Sequence, residues 1–294
     1  MKARHALAIA LALALVAPLA LADGSVAWIQ QYGDSANAAL AAAGSDLRIA
    51  SAEILAESEE QGQTLFFFDV GNKQLAFDFV PGDPRRTWNL GTGITYLVDL
   101  SDGATASGLT AAATDGAIDS AMATWDFATQ CSNVAMIEIP DSGADPDLID
   151  ALLGFGPPPG PGFPFADIVH GGWVLAFAPP ILGVTFTFGF TSGGVFTDIN
   201  NDGKLDAAFR EIYYSDFFNW QLGANIDVET VALHEAGHGL SQAHFGQLFR
   251  TDANGKFHFA PLAVMNAGYT QVQQNLKATD HAGHCSIWGN WPNN

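Results

Sequence analysis

Residues 231–246, VALHEAGHGLSQAHFG, carry three histidines and one glutamate in an order that metal chemistry can explain. His234 and His238 are four residues apart, so on a helix both imidazoles project from the same face. His244 can join them only if the helix ends soon after His238, and Gly239 is suited to end it. The spacing therefore predicts three nitrogen ligands around one ion, with a fourth coordination position left open.

Glu235 directly follows the first of these histidines and points to the side of the helix. Its carboxylate can reach a water on the metal without binding the metal itself, which is the position of a general base. A closed structural site would normally offer four Cys or His ligands. The pattern therefore favours catalytic zinc over a structural ion or a helix that carries histidines by chance.

Length and charge restrict the class of protein. The chain has 294 residues, enough for one large domain with an additional segment, and its formal net charge is −20. Nucleic acid is an improbable partner for so acidic a chain. The acidity suits a secreted protein that binds hard cations through carboxylates. We expect a monomer.

The N-terminus has the pattern of a secretory signal. Lys2 and Arg4 precede an apolar run over residues 6–21, which closes with the small residue Ala22. A membrane anchor is the alternative, but Pro18 interrupts the run and no stop-transfer charges follow. No later run is apolar enough to span a bilayer. The sequence thus predicts a signal peptide at 1–22, cut near Ala22, and a secreted (extracellular or periplasmic) protein with no membrane span.

The two cysteines, Cys131 and Cys285, both lie in the expected mature chain. An oxidising destination permits a disulfide between them, and this bond would join the C-terminal tail to the body of the protein. Two free thiols are the alternative.

A boundary is predicted at the turn Pro81-Gly82-Asp83-Pro84, which separates an N-terminal segment (23–84) from a domain at 85–294. In the segment we predict helix at 36–43 and 51–60, and two strands, 64–70 and 74–80, that form a hairpin around Gly71-Asn72.

Hydrophobic periodicity predicts alternating strands and helices after the boundary. The predicted strands are 94–100, 134–139, 166–169, 183–190 and 212–214. A helix is predicted at 113–128 with Trp125 in the core, and Asp227 is the expected N-cap of the histidine-bearing helix. Residues 141–165 are rich in Gly and Pro and are predicted to form a loop.

Residues 198–206, DINNDGKLD, follow the pattern of a calcium-binding loop. Ligand positions one, three, five and nine are occupied by Asp198, Asn200, Asp202 and Asp206. Phe209 stands where a complete loop has a bidentate glutamate. A calcium (Ca2+) site completed by Glu211 or Asp216 is therefore one interpretation, and a solvated turn is the other.

The sequence HEAGHGLSQAH resembles the metzincin signature HExxHxxGxxH, and AVMNAGY resembles the Met-turn that follows it. The resemblance is greatest to the matrixin-like (M10) branch, in a bacterial exported form, and it covers about 85–269. In that order, ITYLV resembles the first strand, AIDSAMATW the first helix and ADIV the third strand. The resemblance implies an α+β, zincin/metzincin-like catalytic domain with a twisted mixed β-sheet, an active-site helix and a Met-turn.

By position, the resemblance implies that the three histidines bind zinc (Zn2+) and that Glu235 is the general base. It also implies that Met265 forms an apolar floor below the metal. Tyr269 is expected to line the pocket for the residue after the scissile bond.

The sequence departs from the family pattern at several points. Ser241 stands where the family usually has glycine, at a position expected to need an unusual backbone angle. Asn266-Ala267 replaces the common Tyr-Pro after the methionine. Residues 23–84 occupy the place of a propeptide but contain no cysteine to bind the zinc, so an inhibitory role would need another group, such as Asp83, or a steric block. For His170 a structural role is favoured over a second zinc site.

The sequence as a whole predicts a secreted zinc metalloendopeptidase, a hydrolase that cleaves protein or peptide substrates. The rival from another class is a secreted calcium-binding adhesion or surface module with a structural zinc site. A zinc hydrolase that acts on a non-peptide amide is a further alternative.

Overall fold

The computed structural model describes residues 26–57, 60, 62–69, 77–89, 91–127, 131–154, 156–157, 159–160 and 163–293. The expected signal at 1–22 and the dipeptide Gly71-Asn72 lie outside these residues. Within the described ranges the fold is α+β, with five helices packed on a twisted mixed sheet. None of the helices described is long and apolar enough to cross a membrane.

The helices are α1 (Val26–Ala42), α2 (Ala111–Phe127), α3 (Ile149–Leu153), α4 (Val228–Gly239) and α5 (Ala278–Trp288). The strands are β1 (Leu47–Ala56), β2 (Gln63–Phe66), β3 (Phe77–Asp78), β4 (Ile94–Val98), β5 (Met136–Glu138), β6 (Ile168–Val174), β7 (Ile181–Ser192), β8 (Val195–Phe196), β9 (Leu205–Ser215), β10 (Trp220–Gln221), β11 (Ile226–Asp227), β12 (Gln247–Arg250) and β13 (Phe257–Ala260).

The main sheet has the strand order β2-β1-β7-β9-β6-β4-β5, with β3 beside β9 and β8 beside β7. Strands β5, β4, β6 and β9 run parallel to one another. Strand β7 is antiparallel to β9 on one side and to β1 on the other. The N-terminal segment therefore extends the same sheet beyond β7.

Each face of the sheet carries its own hydrophobic core because successive side chains of a strand point to opposite faces. Leu182, Ile212 and Tyr214 pack toward α2 and α4, whereas Phe186 and Tyr213 pack toward α1. The histidine-bearing helix thus lies on one face, directly below β7.

Most predicted elements after residue 85 are confirmed with shifted ends, including the helix at 111–127 and the burial of Trp125. Two predictions differ from the structure in extent or content. The predicted loop at 141–165 contains the short helix α3, and the predicted strand at 212–214 begins already at Leu205.

In the N-terminal segment the helix predicted at 51–60 is wrong, because residues 51–56 belong to β1. Alanine, leucine and glutamate favour helix, but nearly all of β1 is buried between β2 and β7, and this packing overrides the local preference. Residues 70–76 of the predicted hairpin lie outside the described residues, and the described remainders of its two strands do not pair with each other. Strand β2 pairs with β1 and β3 pairs with β9, so the two do not form a hairpin together.

Cys131 and Cys285 form a disulfide across a sequence separation of 154 residues. The bond joins the segment after α2 to α5. The indole of Trp288, at the end of α5, donates to the carbonyl of Leu240 at 2.9 Å. The C-terminal helix is thereby held against the end of α4.

The buried carboxylate of Asp167 joins the start of the predicted domain to the sheet. It accepts hydrogen bonds from Nε of Arg86 and Nε1 of Trp88, both at 2.9 Å, and from the amide of Asn89. It also accepts from the backbone N–H of Thr95 in β4 at 2.8 Å. Arg86 and Asp167 are both fully buried, so each charge depends on the other.

We therefore expect Asp167→Ala to lower the free energy of unfolding by about 3–5 kcal/mol, because it leaves the Arg86 guanidinium buried without its anion. Denaturant unfolding followed by tryptophan fluorescence measures the change. Asp252→Ala, at an exposed position, is the control and should change stability by no more than about 0.5 kcal/mol. Equal stability of the two variants would contradict the prediction.

Candidate metal centre

Helix α4 begins at the predicted N-cap. The Asp227 carboxylate accepts a hydrogen bond from the backbone N–H of Thr230 at 3.0 Å, which confirms that prediction. The next residues, among them Val231 and Leu233, are buried against α2 and the sheet. The indole of Trp125 in α2 donates to the Leu233 carbonyl at 2.8 Å. These contacts place the histidine-bearing turns below β7.

The helix ends at Gly239, and the chain reverses at Ser241, whose φ is 67°. This left-handed conformation is the one expected where the family usually has glycine. The buried guanidinium of Arg210 donates to the Gly239 carbonyl at 2.9 Å and to the Ser241 hydroxyl at 2.9 Å. Ser241 therefore gains a hydrogen bond that glycine could not make, and this offsets part of its backbone strain.

The reversal brings the three histidines together. The Nε2 atoms of His234 and His238 are 3.0 Å apart, and each lies 3.1 Å from Nε2 of His244. The three form a group in which every ligand atom is close enough to share one metal ion. A tetrahedral zinc site with Zn–N bonds of about 2.0–2.1 Å places its nitrogens roughly 3.3 Å apart, so the group is only slightly more compact than such a site requires.

The hydrogen bonds of the other ring nitrogens determine which tautomer His234 and His238 adopt. Nδ1 of His234 lies 2.7 Å from the Val264 carbonyl, and Nδ1 of His238 lies 2.7 Å from the Gln242 carbonyl. A carbonyl only accepts, so both Nδ1 atoms carry the hydrogen, and in neutral imidazoles both Nε2 atoms carry a lone pair. Two lone pairs that face each other at 3.0 Å repel unless a cation lies between them. This chemistry fits a metal ion bound by nitrogen.

Burial keeps these imidazoles neutral. It lowers the pKa of His234 to about 4 and holds the pKa of His238 and of His244 well below the ordinary value. The neighbouring histidines lower the pKa of His238 and of His244 further. At neutral pH all three rings are thus in the form that binds metals.

The Glu235 carboxylate lies fully buried beside the histidines. The Thr185 hydroxyl in β7 donates to its Oε2 at 2.6 Å, whereas Oε1 is buried and has no hydrogen-bond partner in the described part of the chain. Burial, followed by the charge of Glu53, raises the pKa of Glu235 well above its ordinary value, although Thr185 acts in the opposite direction. A Cβ at Gly183 would lie 2.5 Å from Oε1, so glycine is needed here to leave room for the carboxylate.

Met265 is fully buried. A Cβ at Gly237 would lie 2.3 Å from its sulfur, so the methionine packs directly on α4. The Asp280 carboxylate in α5 accepts from the backbone N–H groups of Val264 at 3.0 Å and Met265 at 3.2 Å. Since the Val264 carbonyl lies 2.7 Å from Nδ1 of His234, Asp280 helps to hold both Met265 and one histidine ring in place.

The departure Asn266 is explained by its own hydrogen bonds. Its side-chain oxygen accepts from Ala263 N–H at 2.9 Å, and its amide donates to the carbonyls of Phe245 at 2.9 Å and Pro261 at 3.1 Å. The buried amide therefore ties the turn around Met265 to the chain that follows His244.

Strand β1 fills the space between β7 and the segment around Tyr269. It pairs with β7 over most of its length, and at its end Ala56 pairs with Gly268 in a parallel bridge. The Ala56 carbonyl accepts from Tyr269 N–H at 2.8 Å. The Tyr269 hydroxyl donates to the Asn225 carbonyl and accepts from Asp227 N–H, both just before α4. The space between β7 and the segment around Tyr269 is called the cleft below. The backbone groups on both of its sides form hydrogen bonds with β1.

Glu53 is the acidic residue that β1 brings to the histidines. Its Oε2 lies 3.9 Å from Nδ1 of His244 and accepts from the Thr64 hydroxyl at 2.5 Å. Burial raises the pKa of Glu53 to about 7, although Thr64 and Arg210 act in the opposite direction. Asp83, named above as a blocking group, is instead paired with Arg85 at 2.6 Å.

Among the candidate calcium ligands of residues 198–206, Asp198, Asp202 and Asp206 do not form one of the groups of described side chains whose ligand atoms are close enough to share an ion. The Asp206 carboxylate forms an ion pair with Arg85 at 2.7 Å and accepts from the Thr197 hydroxyl at 2.5 Å. Asp198 accepts from the backbone N–H groups of Asp202 and Gly203. In the structure this stretch is a hydrogen-bonded turn that leads into β9.

His170 is buried in β6, with Nδ1 2.8 Å from the Tyr214 hydroxyl, and among the described residues it shares no metal-binding group. The residues that sequence reasoning missed are Gly183, Thr185, Arg210, Asp280 and Glu53. None has a local sequence signal, because each reaches the site from a distant strand or helix.

The chain matches no protein-family model and no curated protein sequence.

We expect metal-free protein to bind one zinc or cobalt ion, with a rise in melting temperature, because the ion relieves the repulsion of converging lone pairs. Loss of a residue that only hydrogen-bonds a metal ligand weakens metal binding about 10- to 100-fold. Replacing any one of the three histidines by alanine should weaken zinc binding by more than this. Titration calorimetry and thermal unfolding measure both effects.

His258→Ala is the matched control, because His258 stacks on Phe249 in the β12–β13 hairpin and belongs to no metal-binding group among the described residues. A loss of affinity in this variant as large as in His238→Ala would contradict the assignment, as would a melting temperature that zinc leaves unchanged.

Proposed function

We propose that this chain is a secreted zinc metalloendopeptidase of the matrixin-like metzincin type, made as an inactive precursor. The observation that carries the proposal is the convergence of three neutral histidine nitrogens. Glu235, on the same helix as two of these histidines, is fully buried, and its Oε1 has no hydrogen-bond partner among the described residues. The order of β4, α2 and β6 along the chain also agrees with the resemblance.

In the proposed centre, His234, His238 and His244 hold the zinc. When bound, the ion would supply Lewis acidity, which polarises a peptide carbonyl and lowers the pKa of a water ligand toward about 7. Glu235 accepts the proton from the attacking water through Oε1 and later donates it to the leaving amine. Thr185 holds Oε2, so the carboxylate presents its other oxygen to the reaction.

The surrounding residues position these groups. Arg210 and Ser241 set the point at which His244 returns to the centre, while Asp280 and Val264 orient His234. Such outer partners tune the orientation and basicity of metal ligands. Met265 supplies the apolar floor, and Tyr269 lies beside the cleft on the side where Ala56 ends β1.

We expect Glu235→Ala to retain zinc and to lower peptide hydrolysis by the activated chain at least about 10²–10⁴-fold, because alanine removes the proposed general base. Zinc content by atomic absorption and digestion of casein or gelatin provide the two measurements. Glu229→Ala, on the first turn of the same helix, is the matched control and should keep its activity. If Glu235→Ala digests casein as fast as Glu229→Ala, the assignment fails.

Latency is proposed because β1 occupies the cleft. An extended substrate needs the free edge of β7 for backbone hydrogen bonds, and β1 already uses that edge. The far side of the cleft is taken by Ala56 and Gly62, which bond Tyr269 and Ala267. The block is therefore steric, and it needs no cysteine ligand.

We expect the intact chain to digest protein substrates slowly and a chain cut between residues 57 and 62 to digest them faster. A cut there frees β1 from the segment that follows it, so β1 can leave β7. A recognition site for a specific protease inserted at this point makes the comparison direct, with the same insertion in Glu235→Ala as the control for contaminating activity. An intact chain as active as the cut chain would remove the latency proposal.

The occupied cleft also fits the rival function, a calcium-binding surface module with a structural zinc. The cut chain separates the two functions. Zinc-dependent digestion after the cut supports the peptidase, whereas retained zinc and stability with no hydrolysis of any peptide library support the module. The peptides of the library that the cut chain cleaves would also show its preferred cleavage sequence.

A further inference from the structure

A second cluster of potential ligands lies at the end of β4, outside the histidine centre. It consists of five aspartates from two loops: Asp99 and Asp102 after β4, and Asp145, Asp147 and Asp150 in and before α3. The aspartates form two groups, Asp99-Asp145-Asp147 and Asp102-Asp145-Asp150. Within each group, one carboxylate oxygen from each residue lies within 4.8 Å of the others. The two groups share Asp145.

In the part of the chain that the structure describes, the inner carboxylates of this cluster have no hydrogen-bond donor and no ion-pair partner. Asp147 and Asp150 are fully buried, and neither oxygen of either side chain has a hydrogen-bond partner in the part of the chain described. The same holds for one oxygen of Asp99 and one of Asp145. A buried carboxylate without a partner is strongly unfavourable, so a folded protein needs a cation or protons here.

Within the described ranges, none of the ion pairs brings a lysine or arginine to these aspartates. The ion pairs of the described lysines and arginines involve Asp78, Asp83, Asp167 and Asp206 and none of the five aspartates. Burial, followed by the neighbouring acids, raises the pKa of Asp150 to about 7. The same two causes raise the pKa of Asp145 to about 6.

Two glycines make the close approach of these carboxylates to the backbone feasible. A Cβ at Gly171, in the irregular part of β6, would lie 2.4 Å from Oδ2 of Asp147. A Cβ at Gly156 would lie 2.1 Å from Oδ2 of Asp150 and 2.4 Å from Oδ2 of Asp145. The backbone at Gly156 and Gly171 therefore packs directly against the carboxylates and encloses them.

We propose that Asp99, Asp102, Asp145, Asp147 and Asp150 form a calcium site. All the donors are carboxylate oxygens, which hard cations prefer, whereas zinc favours nitrogen and sulfur. Calcium accepts six to eight oxygens at about 2.3–2.6 Å in flexible geometry, and five carboxylates can supply them. Asp102 and Asp145 are partly exposed and give the ion access from solvent.

The bound ion would join the loop after β4 to the Gly- and Pro-rich stretch around α3. This stretch packs Leu148, Ile149 and Leu152 into the core on the α1 face, and Glu211 accepts from the backbone N–H groups of Leu148 and Ile149. Calcium is thus assigned to a different place from the 198–206 loop that its sequence pattern suggests. The site does not depend on the proposed peptidase activity.

The test uses the full mature chain, freed of calcium on a chelating resin and then given one equivalent of zinc. Calcium binding is measured by equilibrium dialysis and thermal unfolding. We expect one calcium ion, or two if each group holds its own, with a rise in melting temperature of several degrees. Asp147→Asn and Asp150→Asn should weaken calcium binding at least tenfold, while Asp202→Asn in the 198–206 loop should bind as the unaltered chain does.

The order of the melting temperatures of Asp147→Asn and the unaltered chain should reverse when calcium is added. A purely structural aspartate would not cause this reversal. Without calcium, Asp147→Asn should melt at a higher temperature than the unaltered chain because one buried charge is removed, and with calcium it should melt at a lower temperature. If Asp147→Asn does not fold, Asp102→Asn, at a partly exposed position, gives the same comparison of calcium affinity. No calcium binding by the unaltered chain, or binding that only Asp202→Asn abolishes, would overturn the proposal.

Discussion

The buried guanidinium of Arg210 holds the end of α4 at the point where His244 can turn back toward His234 and His238. It reaches from β9 to the Gly239 carbonyl and the Ser241 hydroxyl, and it also donates to the Phe77 carbonyl of β3. One side chain thus links the sheet, the end of the helix and the N-terminal segment. The proposed centre depends on this link, since without the reversal at Ser241 only two histidines would face one ion.

Strand β1 gives the molecule its second constraint. A sheet edge left open exposes unpaired backbone groups, and β1 satisfies those of β7 while α1 covers the core on the opposite face. The strand that completes the fold also closes the cleft beside Glu235. If the proposed peptidase function holds, stability and access to the centre are opposed, because an extended substrate must replace β1–β7 contacts that hold the sheet together.

Buried charge is handled in different ways across the molecule. Asp167 is neutralised by Arg86 and a set of neutral donors, and Asp206 is paired with Arg85. The chain has only 11 basic residues against 31 acidic ones, so most carboxylates have no basic partner. Among the described residues, the histidine nitrogens and the aspartates around Asp145 form the groups that could hold a metal ion.

The sequence by itself determined the local features: the histidine spacing, the glutamate beside it, the Asp227 cap, and most strands and helices after residue 85. These follow from periodicity and from short-range geometry, which a helix turn enforces whatever surrounds it. Only the tertiary structure decided that residues 51–56 form a strand in the main sheet and that Arg210, Thr185 and Asp280 support the centre. It also separated Asp206 from the predicted calcium loop and gathered the five aspartates instead. These outcomes rest on contacts between residues far apart in the chain, which local propensity does not encode.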